Sequence, residues 1–310
     1  MKILVTGGAG FIGSHVVDAY LALGHAVVVV DNLSTGSHKN LPKDAKFYQS
    51  DITSNDLEEI FRAEKPDIVN HLAAQIDVRK SVEDPVADAN INIIGSLNLL
   101  TMCQKYRVKK IIFSSSGGAI YGEQQSYPAN ETQPTEPQSP YGITKLTIEK
   151  YLQFYFWTYQ IPFVALRYAN VYGPRQNALG EAGVIAIFTS KLLKGEIPIV
   201  NGDGKQTRDY VFVGDVVHCN VQAIQPNSQG IYNVGTGIET DVVALARELI
   251  SLTGDRHATL AMTGPKFGPA KLGETRRSCL TSGALQKLPP LPLTEGLKKT
   301  VDWFKDNPPA

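Results

Sequence analysis

Residues 2–13, KILVTGGAGFIG, join a short apolar run to a glycine-rich turn and then to the start of a helical pattern. Gly7, Gly10 and Gly13 form GxxGxxG, a variant of the dinucleotide-binding fingerprint. Glycine is required where such a turn is tight and where the backbone approaches a pyrophosphate, and the N–H groups that open the helix bind that anion. Glycines alone are weak evidence, but a strand before them and a helix after them predict a nucleotide site.

An acidic residue supports this interpretation from the next candidate strand. Asp31 ends that strand, 18 residues beyond Gly13. A carboxylate at this place accepts hydrogen bonds from both ribose hydroxyls and repels a 2′-phosphate, so the pattern favours NAD over NADP. Asp51 and Ile52 end the following candidate strand, and we expect them to flank the adenine.

Short runs rich in Val and Ile alternate with helical patterns through the first half of the chain, which predicts a doubly wound parallel sheet. The predicted strands are Ile3–Thr6, Ala26–Val30, Lys46–Gln49, Ile68–Leu72, Lys110–Ser114 and Phe163–Leu166. The predicted helices are Phe11–Leu23, Pro85–Tyr106, Pro140–Tyr159, 184–194, 241–253 and 294–305.

The second half is less regular, so we predict an α/β Rossmann domain with a smaller mixed α/β substrate lobe. The Rossmann domain would comprise residues 1–170 plus about 205–235, and the substrate lobe 171–204 plus about 236–310. The chain would cross between the two lobes more than once. The proline-rich stretch 127–140 reads as a fixed loop rather than a linker.

Composition excludes several classes of function. The 310 residues carry 30 basic and 30 acidic side chains, so no basic excess indicates nucleic acid or a membrane surface. The three cysteines lie far apart and the six histidines lack ligand spacing, which predicts neither a disulfide framework nor a metal site. Reduced thiols, and the absence of a signal peptide or a long apolar run, predict a cytoplasmic protein.

A candidate catalytic pair lies at the start of the helix predicted at 140–159. Tyr141 and Lys145 form YxxxK, which places both side chains on one helix face. A lysine ammonium beside a phenol lowers the phenol pKa, so the tyrosinate can act as a base near neutral pH. The serines 114–116 follow a predicted core strand, at the sheet edge where ligands bind in such folds.

These motifs together resemble the extended short-chain dehydrogenase/reductase superfamily, and within it the UDP-glucose 4-epimerase family. The resemblance runs nearly from end to end of the chain. Its motifs are GxxGxxG, NHLAA at 70–74, the serines before IYG at 120–122, YxxxK, LRYANVYGP at 166–174 and QTRDYVFV at 206–213.

The resemblance implies catalytic roles for three residues. Tyr141 would take the proton of the sugar 4-hydroxyl, Lys145 would bind the nicotinamide ribose and tune Tyr141, and Ser116 would hydrogen-bond the same sugar oxygen. The family often has one residue fewer between this serine and the Tyr-Gly pair, so Ser115 remains an alternative. The reaction would pass through a 4-keto sugar and regenerate NAD.

The resemblance also implies two sets of binding residues. Those implied for NAD are Gly7, Gly10, Phe11, Ile12, Gly13, Asp31, Asn32, Ser34, Thr35, Gly36, Asp51, Ile52, Leu72, Ala73, Ala74, Gln75, Asn90, Ser114, Tyr141, Lys145 and Tyr168. Those implied for the UDP-sugar are Asn170, Val184, Arg208, Lys271, Glu274 and Ser278, with Arg208 on the pyrophosphate.

Two positions bear on how the substrate is held. Lys271 stands where the family usually has arginine, and lysine keeps the charge but loses the bidentate fork. Ser278 lies four positions after Glu274, where the family places a residue that gates the sugar pocket. A small residue there predicts that N-acetylated hexoses are admitted as well as glucose and galactose. The alternative is a surface serine.

Rival activities find less support. Sugar-nucleotide dehydratases and decarboxylases carry an acidic residue after the catalytic Ser or Thr, whereas this chain has Gly117-Gly118-Ala119 and no carboxylate before Glu123. No second cationic cluster favours a uronic acid, so neutral hexoses rank above UDP-glucuronate. A non-catalytic nucleotide sensor would not need the complete Ser, Tyr and Lys set.

The helices at 89–106 and 141–157 are apolar at helical spacing. A core-facing role is the simplest interpretation of that pattern. In the family that the chain resembles, these two helices form the four-helix interface of a dimer, so the resemblance predicts a homodimer.

Overall fold

The structure, a computed structural model, describes residues 1–178, 183–253, 265–269 and 275–308. Its strands are β1 (Lys2–Thr6), β2 (Ala26–Asp31), β3 (Lys46–Gln49), β4 (Ile68–His71), β5 (Lys110–Ser116), β6 (Phe163–Tyr168), β7 (Asn170–Tyr172), β8 (Ile199–Asn201), β9 (Thr207–Phe212), β10 (Gly230–Val234), β11 (Glu239–Asp241), β12 (Lys266–Gly268) and β13 (Arg277–Ser278).

Helices alternate with these strands. They are α1 (Phe11–Ala22), α2 (Asp56–Glu64), α3 (Val78–Glu83), α4 (Pro85–Ala89), α5 (Ser96–Lys105), α6 (Gly117–Ile120), α7 (Pro140–Tyr159), α8 (Val184–Leu193), α9 (Val213–Ala223), α10 (Val242–Thr253) and α11 (Leu293–Asp306). A 3₁₀ turn spans His38–Asn40, and a π-helical segment spans Asn90–Gly95.

Among the described residues, seven strands form the central sheet in the order β10-β6-β5-β4-β1-β2-β3. Strand β1 pairs in parallel with β2 and β4, and the parallel pairing continues from β2 to β3 and from β4 to β5. Parallel strands bring their carboxyl ends to one edge, where the glycine turn, the loop after β4 and the serines of β5 all lie. The predicted α/β class with a parallel sheet is confirmed.

The chain divides into two compact units. Unit 1 comprises 1–121, 134–167 and 217–232, and unit 2 comprises 122–133, 168–216 and 233–310. Residues 122–133 and 205–216 fall in unit 2, whereas the predicted Rossmann domain included both segments.

Each unit has its own apolar core. In unit 1 the helices and the sheet bury side chains such as Leu4, Phe61 and Leu99. In unit 2, α8, α10 and α11 contribute Phe188, Leu245 and Leu297 to a second cluster. Each such side chain stabilises the fold by about 2 kcal/mol when it is fully removed from water. The cores hold the strand ends, and therefore the site residues, in fixed positions.

One strand of the central sheet and one helix before β5 differ from the sequence prediction. Strand β10 was not predicted, because GIYNV lacks the continuous Val/Ile run of its neighbours. The helix predicted at Pro85–Tyr106 is divided into α4, the π-helical segment and α5. The π-helical segment inserts an extra residue per turn, which apolar periodicity does not reveal.

None of the helices in the described part of the chain combines the length and the apolar character that crossing a bilayer requires. Over the same residues, no group of three or more His, Cys, Asp and Glu side chains could hold a metal ion.

Candidate active site

The glycine turn between β1 and α1 leaves no room for side chains. Gly7 has a φ of +70°, and a Cβ on it would lie 2.7 Å from the backbone nitrogen of Ala73. A Cβ on Gly13 would lie 2.1 Å from the carbonyl oxygen of Gly7. Helix α1 begins at Phe11, directly after Gly10, so Ile12 and Gly13 lie in its first turn. Bare backbone at a helix N-terminus fits a pyrophosphate.

Asp31 joins the glycine turn to the loop after β2. One of its carboxylate oxygens accepts from the backbone N–H of Ala9 at 2.9 Å, and the other accepts from that of Leu33 at 2.8 Å. Each oxygen has a second lone pair, so the carboxylate can still accept ribose hydroxyls. The loop that follows contains the predicted contacts Ser34, Thr35 and Gly36, and Gly36 lies against Ala9.

Asp51 is tied to this same loop. It accepts from the side-chain amide of Asn32 at 2.6 Å and from the backbone and hydroxyl of Thr53. Burial raises the pKa of Asp51, but the hydrogen bonds from Thr53 and Asn32 outweigh burial and leave its pKa below the ordinary value. Ile52 is buried beside it. Asp51 and Ile52, the residues predicted to flank the adenine, therefore lie beside the loop after β2, to which Asp51 is hydrogen-bonded.

The loop after β4, residues 72–75, lies directly beside the glycine turn. Leu72 donates from its backbone to the carbonyl oxygen of Thr6 at 3.1 Å, and Ala73 donates to the Thr6 hydroxyl at 3.2 Å. Ala74 follows and is partly exposed. Gln75 is held through its backbone by the buried side chain of Asn92, with N···Oδ1 at 2.8 Å and O···Nδ2 at 2.9 Å.

The two asparagines of the π-helical segment face different surroundings. Asn90, the predicted cofactor contact, is exposed, whereas Asn92 is 3% exposed and reaches the loop after β4. Sequence reasoning missed Asn92, because the role of the side chain depends on where the π-helical segment turns it.

His71 connects the glycine strand to the same segment. Its ring nitrogens lie 2.8 Å from the hydroxyls of Thr6 and Ser96. Ser96 donates to the carbonyl oxygen of Asn92 at 2.6 Å, so its hydroxyl accepts from Nε2–H of His71. Nδ1 then accepts from Thr6. Burial, with a smaller contribution from Lys145, lowers the His71 pKa to about 3, which keeps the imidazole neutral.

The three serines of β5 alternate in direction, as strand residues do. Ser115 is 2% exposed and donates to Glu149 at 2.6 Å. Glu149 in turn binds Arg167 through two bonds of 2.9 and 2.6 Å. Ser116 is partly exposed, and its side chain caps no backbone N–H of α6. This arrangement favours Ser116 over Ser115 as the serine that contacts substrate.

Helix α7 presents the tyrosine and the lysine. Ser139 caps its first turn by accepting from the backbone of Gly142 at 3.2 Å, and Pro140 occupies the first helical position. A Cβ on Gly142 would lie 2.6 Å from the carbonyl oxygen of Ala119. The missing side chain thus lets α6, and with it the end of β5, pack against the turn that holds Tyr141.

Lys145 is 4% exposed, and its Nζ donates to the carbonyl oxygen of Ser114 at 2.8 Å. Nζ also lies 5.7 Å from the centroid of the Tyr141 ring. Burial lowers the pKa of Lys145 to about 8, against the opposing influence of Asp88 and Glu149. The lysine is therefore a cation at neutral pH, but its pKa lies only slightly above neutral pH.

In unit 1 the structure thus brings together the glycine turn, Asp31, the loop after β4, the β5 serines and the YxxxK pair. Tyr168, the last residue of β6, is buried. Unit 2 contains the remaining predicted residues that the structure describes. Lys271 and Glu274 lie outside the described residues.

Strand β9 organises the predicted substrate residues of unit 2. Arg208 on β9 is in register with Ser278 on β13, and Asn170 at the start of β7 is in register with Tyr210. Val184 is the first residue of α8. Ser278 is 4% exposed, so the alternative of a surface serine was wrong.

Asp209 was not predicted from sequence, yet it anchors this region. Its carboxylate accepts from the backbone of Thr236, Gly237 and Leu280 at 3.0 to 3.3 Å. Burial raises its pKa above the ordinary value despite these bonds. The bond to Leu280 holds the segment that contains Ser278.

Comparisons with known proteins agree with this geometry. The statistical model of the NAD-dependent epimerase/dehydratase family matches residues 3–235. UDP-glucose 4-epimerase of Mycolicibacterium smegmatis is 42% identical over 316 residues, covering 99% of this chain and 99% of that protein.

Two solved structures are similar throughout. UDP-glucose 4-epimerase of Thermotoga maritima, solved with UDP-glucose, has a TM-score of 0.94 at 47% identity and covers 99% of each chain. The Thermus thermophilus UDP-glucose 4-epimerase in complex with NAD has a TM-score of 0.89 at 44% identity, covering 98% of this chain and 99% of that chain. The resemblance predicted from the motifs is confirmed: this chain belongs to the NAD-dependent epimerase/dehydratase family.

Proposed function

We propose that this protein is an NAD-dependent UDP-hexose 4-epimerase that interconverts UDP-glucose and UDP-galactose through a 4-keto sugar. The observation that carries the proposal is the arrangement of Tyr141 and Lys145 against the end of β5, on the same edge of the sheet as the glycine turn. Lys145 donates to the carbonyl oxygen of Ser114, and this bond holds a cation 5.7 Å from the centroid of the Tyr141 ring. Full-length similarity to UDP-glucose 4-epimerases supports it.

Each residue has a defined task in this reaction. Tyr141 removes the proton of the 4-hydroxyl as its base and returns a proton in the second half-reaction. The Lys145 ammonium favours the tyrosinate, and Ser116 hydrogen-bonds the same sugar oxygen. Bound NAD would supply the hydride acceptor and the hydride donor for C4 of the sugar. Asp31, the glycine turn and residues 72–75 would hold that cofactor, while Arg208 and Asn170 would hold the UDP half.

A dehydratase is the second candidate within the family, but the segment after Ser116 disfavours it. Helix α6 consists of Gly117, Gly118, Ala119 and Ile120, none of which carries a carboxylate or other acid–base group. Elimination of water needs such a group in position.

Proton NMR of the purified protein with UDP-galactose and no added NAD tests the proposal. Growth of UDP-glucose signals is expected, since cofactor that co-purifies should suffice. Tyr141→Phe should retain NAD and lose turnover. Absence of product from the wild type, even after NAD is added, would remove the assignment. A nucleotide sensor would bind NAD equally well in both forms without turnover.

We further propose that the sugar pocket admits N-acetylated hexoses, because Ser278 is small and lies in register with Arg208. Ser278→Tyr should reduce turnover of UDP-GlcNAc far more than that of UDP-galactose. The exposed Ser282→Tyr is the matched control. Unchanged UDP-GlcNAc turnover in Ser278→Tyr would contradict the proposal.

We propose a homodimer as the assembly. Ile143, Phe154 and Trp157 share one face of α7 and are 51%, 45% and 71% exposed. Several exposed apolar side chains on one helix face are typical of an interface. Light scattering should find a dimer for the wild type and a monomer for Trp157→Glu. Leu23→Glu, at another exposed apolar position, should remain a dimer. We also propose a cytoplasmic location, since the three cysteines are buried and form no disulfide.

A further inference from the structure

We propose that Asp88 is a positioning residue for the proposed epimerase reaction. In this role its carboxylate ties α7 to the loop after β4 and provides the negative charge that keeps Lys145 a cation. The inference rests on the proposed function, because it assigns Tyr141 and Lys145 their tasks. It extends the site to a residue of α4 that belongs to neither of the two predicted sets of binding residues.

The tie runs through one buried carboxylate. Asp88 is 1% exposed. One of its oxygens accepts from the side-chain amides of Gln75 at 2.8 Å and Asn92 at 2.9 Å, and the other accepts from the hydroxyl of Thr144 at 3.1 Å. Thr144 immediately precedes Lys145 in α7. Asp88 therefore connects the catalytic helix with the loop after β4, residues 72–75, which is predicted to contact NAD.

Asn92 completes the connection. Its side chain bonds to the backbone N–H and the carbonyl oxygen of Gln75, and its amide also donates to Asp88. A buried amide with every partner fixed orders its surroundings, because any displacement leaves polar groups unsatisfied. The Gln75 backbone thus cannot shift without breaking bonds that lead to Asp88 and α7.

The charge of Asp88 has no nearby cation among its hydrogen-bond partners, since Gln75, Asn92 and Thr144 are neutral. Glu149, the other acid that acts on Lys145, is already paired with Arg167 at 2.6 Å. The Glu149–Arg167 pair has no net charge, so Asp88 supplies the uncompensated negative charge. Both acids oppose the lowering of the Lys145 pKa by burial.

Other groups face Lys145 and remain in place when Asp88 is changed. The phenol of Tyr141 lies on the same helix, the ring of Phe113 and the carbonyl oxygen of Ser114 lie on β5, and His71 lies on β4 as a neutral imidazole. Asp88 differs from these neighbours because its carboxylate carries a full charge. Unlike Glu149, Asp88 can lose that charge in an isosteric substitution without the loss of an ion pair.

Two substitutions separate the charge from the tie. Asp88→Asn keeps an acceptor for Gln75 and Asn92, and its amide can donate to Thr144, so the tie survives and the charge is lost. Thr144→Val keeps the charge and removes the bond to α7. Asp44→Asn, at an exposed position before β3, is the matched control for loss of an aspartate.

The charge is tested by NMR titration of carbon-13-labelled lysine in the holoenzyme, with the Lys145 signal assigned by its loss in Lys145→Met. In Asp88→Asn the Lys145 midpoint should fall by about 1 pH unit or more. At neutral pH kcat should fall about tenfold, and the pH above which it declines should move down with the midpoint. An unchanged midpoint in folded Asp88→Asn would overturn the role of the charge.

The tie is tested by amide hydrogen exchange of the peptide that contains residues 72–76. Exchange should be faster in Thr144→Val than in the wild type, while Asp44→Asn matches the wild type. Equal exchange in all three proteins would overturn the tie, and this arm holds even if Asp88→Asn does not fold. A wild type inactive on UDP-galactose would contradict the proposed function, yet the titration and exchange would still decide the role of Asp88.

Discussion

The Nζ of Lys145 and the carbonyl oxygen of Ser114 lie 2.8 Å apart, and this bond joins the catalytic helix to the end of the central strand β5. The bond holds the ammonium of Lys145 in a buried position, 5.7 Å from the centroid of the Tyr141 ring. Buried ammonium groups lose protons at lower pH than exposed ones.

Because burial lowers the Lys145 pKa to about 8, we expect kcat to decline as pH rises through that value. A neutral amine no longer lowers the pKa of the Tyr141 phenol. The tyrosinate, which is the base in this reaction, is then less favoured than it is beside an ammonium. Stopped-time NMR assays from pH 6 to 10 provide the profile. Lys105→Met, which removes an exposed lysine, should leave the profile unchanged, whereas a constant kcat up to pH 10 would disprove the link.

Substitution of the two serines at the end of β5 should have different effects: Ser116 should affect turnover and Ser115 should affect stability. Ser116→Ala should lower kcat about 100-fold with little change in the free energy of unfolding. Ser115→Ala removes a bond to Glu149 and should cost about 2 kcal/mol of stability with a smaller effect on kcat. Urea unfolding and steady-state kinetics of both variants are the measurements. The reverse pattern would assign the catalytic role to Ser115.

Gly13→Ala should abolish retention of NAD. The new Cβ would lie 2.1 Å from the carbonyl oxygen of Gly7, so the glycine turn must move away from its present path. The expected readout is loss of the nucleotide released on heat denaturation. Gly24→Ala is the comparison, since nothing lies within 4 Å of its Cβ and only the positive φ of 77° is strained. Full NAD content in Gly13→Ala would contradict the assigned cofactor turn.

His71 should make the fold sensitive to acid. Its folded pKa of about 3 lies below the unfolded value near 6.5, so the unfolded state binds more protons between these values and stability falls as pH drops. The loss between pH 7.5 and pH 5 is about 2 kcal/mol from this group. Urea unfolding at both pH values should show a smaller loss for His71→Asn than for the wild type. The exposed His38→Gln should behave like the wild type.

The parts of the site that sequence reasoning found are local in the chain. The glycine turn, Asp31 and YxxxK lie within short windows, because backbone geometry and helical spacing dictate them directly. Six strands of the central sheet were predicted to within a few residues, and in β2, β4 and β5 adjacent Val and Ile residues mark strands covered on both faces.

The parts that were missed depend on tertiary contacts. Asp88 and Thr144 meet only after α4 and α7 have packed, and nothing in the sequence spacing marks Gln75 as a partner of Asp88 and Asn92. Asp209 follows Arg208 in sequence, yet its partners come from two distant segments. Ser115 and Ser116 are equivalent by composition, and only the direction of each side chain along β5 separates them.

The position of β10 beside β6 affects how the protein is made. The central sheet receives this strand from residues 230–234, after the chain has already passed through residues 168–216 of unit 2. On the ribosome β6 would therefore remain an open edge while the intervening segments emerge, and open edges invite pairing with other chains. Synthesis that stalls before residue 230 should release a species prone to association, whereas passage beyond residue 234 allows the sheet to be completed.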